Sequence, residues 1–161
     1  MAVSAHKKVL VSRFGDREPV EGFVQSPETQ QDILEVLAQD GSLLKVPLAE
    51  TKAICFVRDF EAGETWKKHR QFSTRPKMNG LWVRLKFRDG DWLEGIVPNN
   101  LLHLESAGFG IVPPDPTFQN QRIWVPRPAL SGVEVLGVIG SPLRRRKQEK
   151  PRDGQLQMFE S

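Results

Sequence analysis

The sequence contains two copies of one pattern, and this duplication restricts the folds open to the chain more than any other feature. Residues 13–24 (RFGDREPVEGFV) match residues 86–97 (KFRDGDWLEGIV) at a constant offset of 73 positions. Further along, residues 44–47 (LKVP) match residues 123–126 (IWVP) at an offset of 79. Two matching blocks in the same order, separated by one insertion of six residues, predict two structural units of the same kind.

Each copy has the residue alternation of a β-sheet protein. In the second copy, three apolar residues alternate with basic ones, which predicts a half-buried strand through Val83, Leu85 and Phe87. The pair Asp89-Gly90 then predicts a tight turn before a returning strand over residues 92–97. Two glycines, Gly22 and Gly95, stand inside predicted strands, where glycine marks a sharp bend or a close approach of backbones.

Further strands are predicted at residues 33–38, 43–48, 54–57 and 133–136. Residues 28–38 also fit a helical period. A strand is favoured there because the matching segment of the second copy, residues 109–114 (FGIVPP), contains a glycine and two prolines. About five short strands in about 50 residues are typical of a small, bent antiparallel barrel.

The expected fold is therefore all-β, with two tandem small antiparallel barrels. The first barrel is predicted over residues 1–60 and the second over residues 80–140. Residues 61–79 are basic and poor in aliphatic side chains, which is typical of a linker. Residues 141–161 are predicted to be a disordered basic tail.

Charge is distributed unevenly along the chain, and this argues against a dedicated DNA-binding protein. The formal net charge is +3, and residues 141–161 alone hold six basic against three acidic residues. The preceding 140 residues balance at seventeen of each sign. A neutral body with a basic tail differs from the broad basic face of such proteins.

Location and chemistry are constrained by what the sequence lacks. No segment suits a membrane span or a secretion signal, and a single cysteine, Cys55, fits a reducing compartment, so a cytoplasmic protein is expected. The spacing of the three histidines from one another and from Cys55 does not match that of metal ligands. These histidines are His6, His69 and His103. Asp89 and Asp91 flank a turn glycine and are expected to form the turn. The sequence predicts no enzyme, no metal and no cofactor.

The second copy resembles the Sm-like proteins. Residues 83–97 (VRLKFRDGDWLEGIV) are similar to the first signature of that family, with an apolar strand, an Asp-Gly turn and a second glycine on a bent strand. Residues 125–133 (VPRPALSGV) resemble the second signature of the bacterial Sm-like RNA chaperone, but its basic-histidine pair falls on Arg127 and Pro128. The whole chain looks like uncharacterised bacterial proteins with two such repeats. The resemblance implies small barrels and carries no activity with it.

Aromatic and basic residues of the second copy indicate an alternative function in binding single-stranded nucleic acid, RNA in particular. Bases stack on aromatic rings while basic side chains contact the phosphates. The candidate residues are Trp92, Arg84, Lys86, Trp124 and Arg122. The competing interpretation places the tryptophans in a core or in a barrel–barrel interface.

Residues 155–159 (QLQMF) resemble the short peptide by which many bacterial replication and repair proteins bind the DNA sliding clamp. In that peptide a glutamine is followed by an aliphatic residue, a variable residue, Leu or Met, and Phe. Leu156, Met158 and Phe159 would fill an apolar pocket, and Gln155 would supply hydrogen bonds. The alternative is that these side chains fold back onto a barrel edge.

The predicted function is a non-enzymatic adaptor whose tail docks on the DNA sliding clamp. Nucleic-acid binding by the barrels is the alternative function. No membrane partner is expected. Open barrel edges tend to pair, so either the two copies join edge to edge or the chain forms a homo-oligomer.

Overall fold

The computed structural model describes residues 6–15, 17–25, 32–98, 107–114 and 120–140. Within these ranges the chain forms ten strands joined by turns and short 3₁₀ segments. The strands are β1 Lys7–Arg13, β2 Val20–Val24, β3 Ile33–Leu37, β4 Leu43–Pro47, β5 Thr51–Val57, β6 Gly80–Phe87, β7 Trp92–Val97, β8 Gly108–Ile111, β9 Asn120–Pro126 and β10 Leu130–Ile139.

The prediction of an all-β, antiparallel chain is confirmed. Every strand pair that involves two of these ten strands is antiparallel. The segment for which a helix competed with a strand contains β3, so the strand prediction is correct there. Residues 28–31 of that segment lie outside the described part of the chain.

The strands form a seven-stranded sheet in the order β4-β3-β2-β1-β5-β9-β8 and a three-stranded sheet in the order β10-β6-β7. A single bridge between Ile96 and Val112 connects β7 with the end of β8. This arrangement joins the two predicted units edge to edge, one of the outcomes expected from the sequence, and leaves no closed barrel among the described strands. The reason is that β5 of the first half pairs with β9 of the second half, so the larger sheet continues across both halves of the chain.

The first five and the last five strands pair in the same way. β1 pairs with β2 and β5, and β6 pairs with β7 and β10. Val9 lies opposite Gly22 in one half, and Val83 lies opposite Gly95 in the other. Val9 and Val83 are 74 positions apart, whereas Gly22 and Gly95 are 73 positions apart. The connection between the first strand and the glycine is therefore one residue shorter in the second half.

The strand glycines mark close approaches, to neighbouring backbone at Gly22 and to a side chain at Gly95. A Cβ atom on Gly95 would lie 2.6 Å from Ile111 Cδ1, and one on Gly22 would lie 2.6 Å from the Leu37 carbonyl oxygen. Real Cβ atoms do not approach other atoms this closely, so glycine is the residue that fits at these two positions.

The described structure has two clusters of buried side chains. One cluster joins apolar residues of β1 to β5 with Trp124 of β9. The other joins apolar residues of β6 to β9 with Leu10, Ala53, Cys55 and Val57 from the first half, and with Trp66 from the connecting segment. Each core therefore contains side chains from both halves, as the β5–β9 pairing requires.

Candidate functional site

Three of the predicted nucleic-acid residues meet at one cavity beside the β6–β7 hairpin. Arg84 and Lys86 lie on the same face of β6, and Lys86 is directly opposite Trp92 of β7. The cavity has a volume of about 310 Å³ and is lined by Arg84, Lys86, Phe87, Gly90, Asp91, Trp92 and Ser131. The sequence missed Ser131 because it reaches the cavity only through the pairing of β10 with β6.

Arg84 contacts both an aromatic ring and a carboxylate beside the cavity. Its guanidinium carbon lies 4.9 Å from the centre of the Trp92 ring, which is cation–π geometry. Its Nη2 atom donates a hydrogen bond of 2.8 Å to Glu94 Oε2. Its Nε atom is buried and has no hydrogen-bond partner in the described structure. A buried donor without a partner is unfavourable.

Glu94 anchors the connecting segment to the sheet beside this cavity. Its side chain is 3% exposed. Besides Arg84, it accepts hydrogen bonds of 3.1 Å from Trp82 Nε1 and from the backbone nitrogen of Phe72. The backbone nitrogen of Glu94 donates to the carbonyl oxygen of Arg70 at 2.8 Å. Glu94 therefore holds protein groups in place and is not free to contact a ligand.

The acidic turn at the other side of the cavity is neutralised by basic residues. Lys52 Nζ lies 2.7 Å from Asp89 Oδ2 and 2.6 Å from Asp91 Oδ2, and Arg70 also contacts Asp91. Burial alone would raise the pKa of Asp89 and Asp91, but hydrogen bonds from the Lys52 ammonium hold the pKa of both carboxyls below the ordinary value. Both carboxyl groups are therefore held ionised. This agrees with the expectation that Asp89 and Asp91 form the turn, where they pair with basic side chains.

The remaining predicted nucleic-acid residues lie elsewhere. Trp124 and Arg122 belong to β9, in the other sheet. Trp124 is 2% exposed and packs in the core of the first half, so its ring faces are not accessible for stacking. The guanidinium of Arg122 lies 5.3 Å from the centre of the Phe56 ring. The core interpretation therefore holds for Trp124, and the predicted surface is reduced to Arg84, Lys86 and Trp92.

The other chemistry-bearing residues form no second site in the described ranges. Cys55 is buried, and burial raises the pKa of its thiol. Neither a group of three or more metal-ligating side chains nor a helix able to span a membrane occurs among these residues. His103 and the peptide residues Gln155, Leu156, Met158 and Phe159 lie outside the described part of the chain.

Comparison with known proteins gives a family and no activity. No curated protein matches the chain, and no solved structure matches it. One family matches residues 5–137, which contain nearly all of the ten strands. The chain belongs to that family, DUF6982, a family of unknown function.

Proposed function

We propose that this protein is a non-enzymatic adaptor of the cytoplasm, in which a β scaffold carries a peptide that docks on the DNA sliding clamp. The observation that carries the proposal is the pattern at residues 155–159, QLQMF. Leu156, Met158 and Phe159 are the apolar anchors, and Gln155 contributes directional hydrogen bonds. A few anchors of this kind supply most of the binding energy in peptide recognition.

The position of the peptide in the chain supports this function. The last described residue is Gly140, directly after β10, and Gln155 follows fifteen positions later. Fifteen residues span up to about 50 Å when extended. The intervening sequence, SPLRRRKQEKPRDG, is rich in charge and contains two prolines, a composition that disfavours packing against the scaffold. The peptide can therefore reach a partner without rearrangement of the sheets.

We expect the full chain to bind purified sliding clamp and to lose this binding when an anchor is removed. Leu156→Ala and Phe159→Ala should each weaken binding by about tenfold or more, because a buried apolar anchor contributes more than about 1.4 kcal/mol. Calorimetry with the full chain, and polarisation with a labelled peptide of residues 152–161, measure the affinities.

Gln157→Ala is the matched control, since Gln157 occupies the variable position of the pattern. Its affinity should equal that of the unchanged protein. Absence of binding, or binding that Leu156→Ala and Phe159→Ala leave unchanged, would rule out the clamp as the partner.

We further infer that the two halves are copies of one Sm-like unit. The same pairing order in β1–β5 and β6–β10, and the matching positions of Gly22 and Gly95, support this inference. In each half the fifth strand also pairs with the first. The two halves would then offer two versions of one surface to different partners.

Single-stranded nucleic acid is the second candidate ligand, and the Arg84–Trp92 cavity favours it. A base can stack at Trp92, while the positive charge of Arg84 attracts a phosphate. Lys86 adds a positive charge at the rim, although its Nζ is 3.5 Å from Glu134 Oε1. Because most charges near the cavity are paired, the affinity is expected to be modest.

Trp92→Ala should weaken the binding of a labelled single-stranded RNA by about 5- to 100-fold, the loss that corresponds to one stacked base. Affinity should fall steeply with rising salt concentration. A chain without residues 141–161 serves as the control and should keep its affinity. If removal of residues 141–161 abolishes RNA binding and Trp92→Ala leaves it unchanged, the RNA binds the basic run at residues 144–147 and not the cavity.

A further inference from the structure

The core of the second half is open along one edge of β10. This strand pairs with β6 and with no other strand among those described. Val133 lies opposite Leu85, and Val135 lies opposite Val83, so both valines of β10 lie on the face of the sheet that carries the core. Their partners on β6 are buried, whereas Val133 is 40% and Val135 is 55% exposed.

The first half shows what covers the equivalent side chains. At an offset of 79 positions, Ile54 and Phe56 of β5 are the counterparts of the two valines, and they face the first strand of their half in the same way. Both are buried, because β9 lies along the other side of β5 and places Trp124 opposite Ile54. The edge of β10 would be covered in the same way by an extended segment with large apolar side chains.

The chain contains a segment of this kind at residues 155–159, QLQMF. In an extended conformation, Leu156 and Met158 lie on one face, and the two glutamines and Phe159 lie on the other. The two apolar side chains on the first face are two positions apart, which is also the spacing of the exposed valines on β10.

We propose that residues 155–159 dock along the free edge of β10 as an antiparallel strand. Met158 then lies opposite Val133. Leu156 lies opposite Val135 and covers the more exposed of the two valines. The docked segment closes the core at this edge, and its backbone pairs with the free donors and acceptors of β10.

The same register places Phe159 opposite Gly132, on the other face of the sheet. A Cβ atom on Gly132 would meet no other atom within 4 Å, so the space beside this glycine is open. An aromatic ring on a neighbouring strand can cover an edge glycine of this kind. All three apolar side chains of the segment therefore have a place on β10.

The connection between β10 and the segment is long enough for this return. Gln155 follows Gly140 by fifteen positions, and β10 ends directly before that glycine. A chain of this length spans up to about 50 Å, whereas paired strands are only about 5 Å apart. The entropic cost of closing a loop rises slowly with its length, so the charged connection can stay in solvent while the segment docks.

Docking on β10 and docking on a partner protein exclude each other, because both bury Leu156, Met158 and Phe159. The edge of β10 therefore competes with any partner of the peptide and lowers its apparent affinity. This inference goes beyond the proposed function, because the intramolecular contact does not depend on which partner binds the peptide.

The test measures how fast a thiol reagent labels Val135→Cys in the otherwise unchanged chain and in a chain that also carries Leu156→Ser and Met158→Ser. Labelling should be about tenfold slower when the segment is intact, because the docked segment covers the edge and opens reversibly. Leu43→Cys on β4 is the matched control, since Leu43 is also 55% exposed, and its labelling rate should be the same in both chains. The native Cys55 is buried and adds little background.

Disulfide formation tests the register. Val135→Cys combined with Leu156→Cys should form a disulfide within one chain on oxidation, because directly opposed strand residues lie within disulfide reach. Val135→Cys combined with Gln148→Cys, in the connection, should form it much more slowly. A segment that moves freely would cross-link both pairs at similar rates, and this result would overturn the proposal.

Other outcomes also overturn the proposal. Equal labelling of Val135→Cys in the two chains would show that the segment does not cover β10. Slower labelling of Leu43→Cys would place the segment on β4 instead. Protection that increases with protein concentration, or disulfides between chains, would assign the edge to a second copy.

Addition of saturating sliding clamp links this contact to the proposed function. Clamp that binds the peptide should restore fast labelling of Val135→Cys, and clamp that binds while the edge stays protected would overturn the competition. A chain that does not bind clamp should still show the tenfold difference in labelling, so the two proposals fail separately.

Discussion

Replacing Trp66 by alanine is expected to lower the free energy of unfolding by about 3–5 kcal/mol, the range for deleting a large buried aromatic side chain. Trp66 is fully buried, although it belongs to a short 3₁₀ turn, Thr65–Lys67, in the segment between the two halves. Its ring centre lies 5.8 Å from that of Phe87. Removing the indole would leave a cavity between this segment and both halves. Urea unfolding followed by circular dichroism measures the loss.

Two control variants separate packing from hydrogen bonding at Trp66. The indole Nε1 donates a hydrogen bond of 3.3 Å to Ser12 Oγ, and Ser12 in turn donates to Glu64. Trp66→Phe keeps most of the apolar contact and loses this hydrogen bond, so about 1–2 kcal/mol should be lost. Lys68→Ala, at an exposed neighbouring position, should leave stability unchanged. A loss below about 1 kcal/mol for Trp66→Ala would mean that the turn does not contribute to the core.

Local patterns predicted the strands well because strand formation depends on neighbouring residues. The alternation from Val83 to Phe87 and the Asp89-Gly90 turn correspond to β6, its turn and β7. The pairing of β5 with β9 joins residues about seventy positions apart, and no local period encodes such a contact. For this reason the sequence predicted two barrels and an edge-to-edge joint between them as one option, but it did not identify β5 and β9 as the strands that form the joint.

The same distinction explains which site residues the sequence could identify. Arg84, Lys86 and Trp92 belong to one hairpin, so their proximity follows from the turn between them. The burial of Trp124 follows from a contact between the two halves and was therefore not predictable from its neighbours. Lys52 was also missed, because a lysine followed by the apolar run Ala53 to Val57 gives no sign of the acidic turn that it contacts.

Lys52→Met is expected to lower the free energy of unfolding at neutral pH by about 2–4 kcal/mol. The ammonium is buried between the rings of Phe14, Trp66 and Phe87, at 5.2–5.7 Å from their centres. It also carries two of the hydrogen bonds to the acidic turn. Removing one member of a buried ion cluster costs about 3–5 kcal/mol, and the partial exposure of Asp89 and Asp91 reduces this value.

The effect of Lys52→Met should shrink in acid. The pKa values of Asp89 and Asp91 are lower in the folded chain than the ordinary value of about 3.9. A group of this kind stabilises the fold fully above its unfolded pKa, and the stabilisation is lost as the pH falls through the folded pKa. The unchanged protein should therefore lose stability below about pH 4. The variant should lose less, because among the described basic side chains Arg70 alone would still pair with the turn.

Urea unfolding of both proteins between neutral pH and about pH 3 measures this difference in stability. The pKa of Asp40 is also lowered, by the Ser42 hydroxyl and backbone nitrogen, but this contribution is common to both proteins and cancels in the difference. Lys45→Met, at an exposed position on β4, should leave the pH dependence unchanged. The difference in the free energy of unfolding between Lys52→Met and the unchanged protein should not stay constant across this range. If it does, the interaction of Lys52 with the two carboxylates contributes nothing to stability. The loss would then come from packing against the three rings.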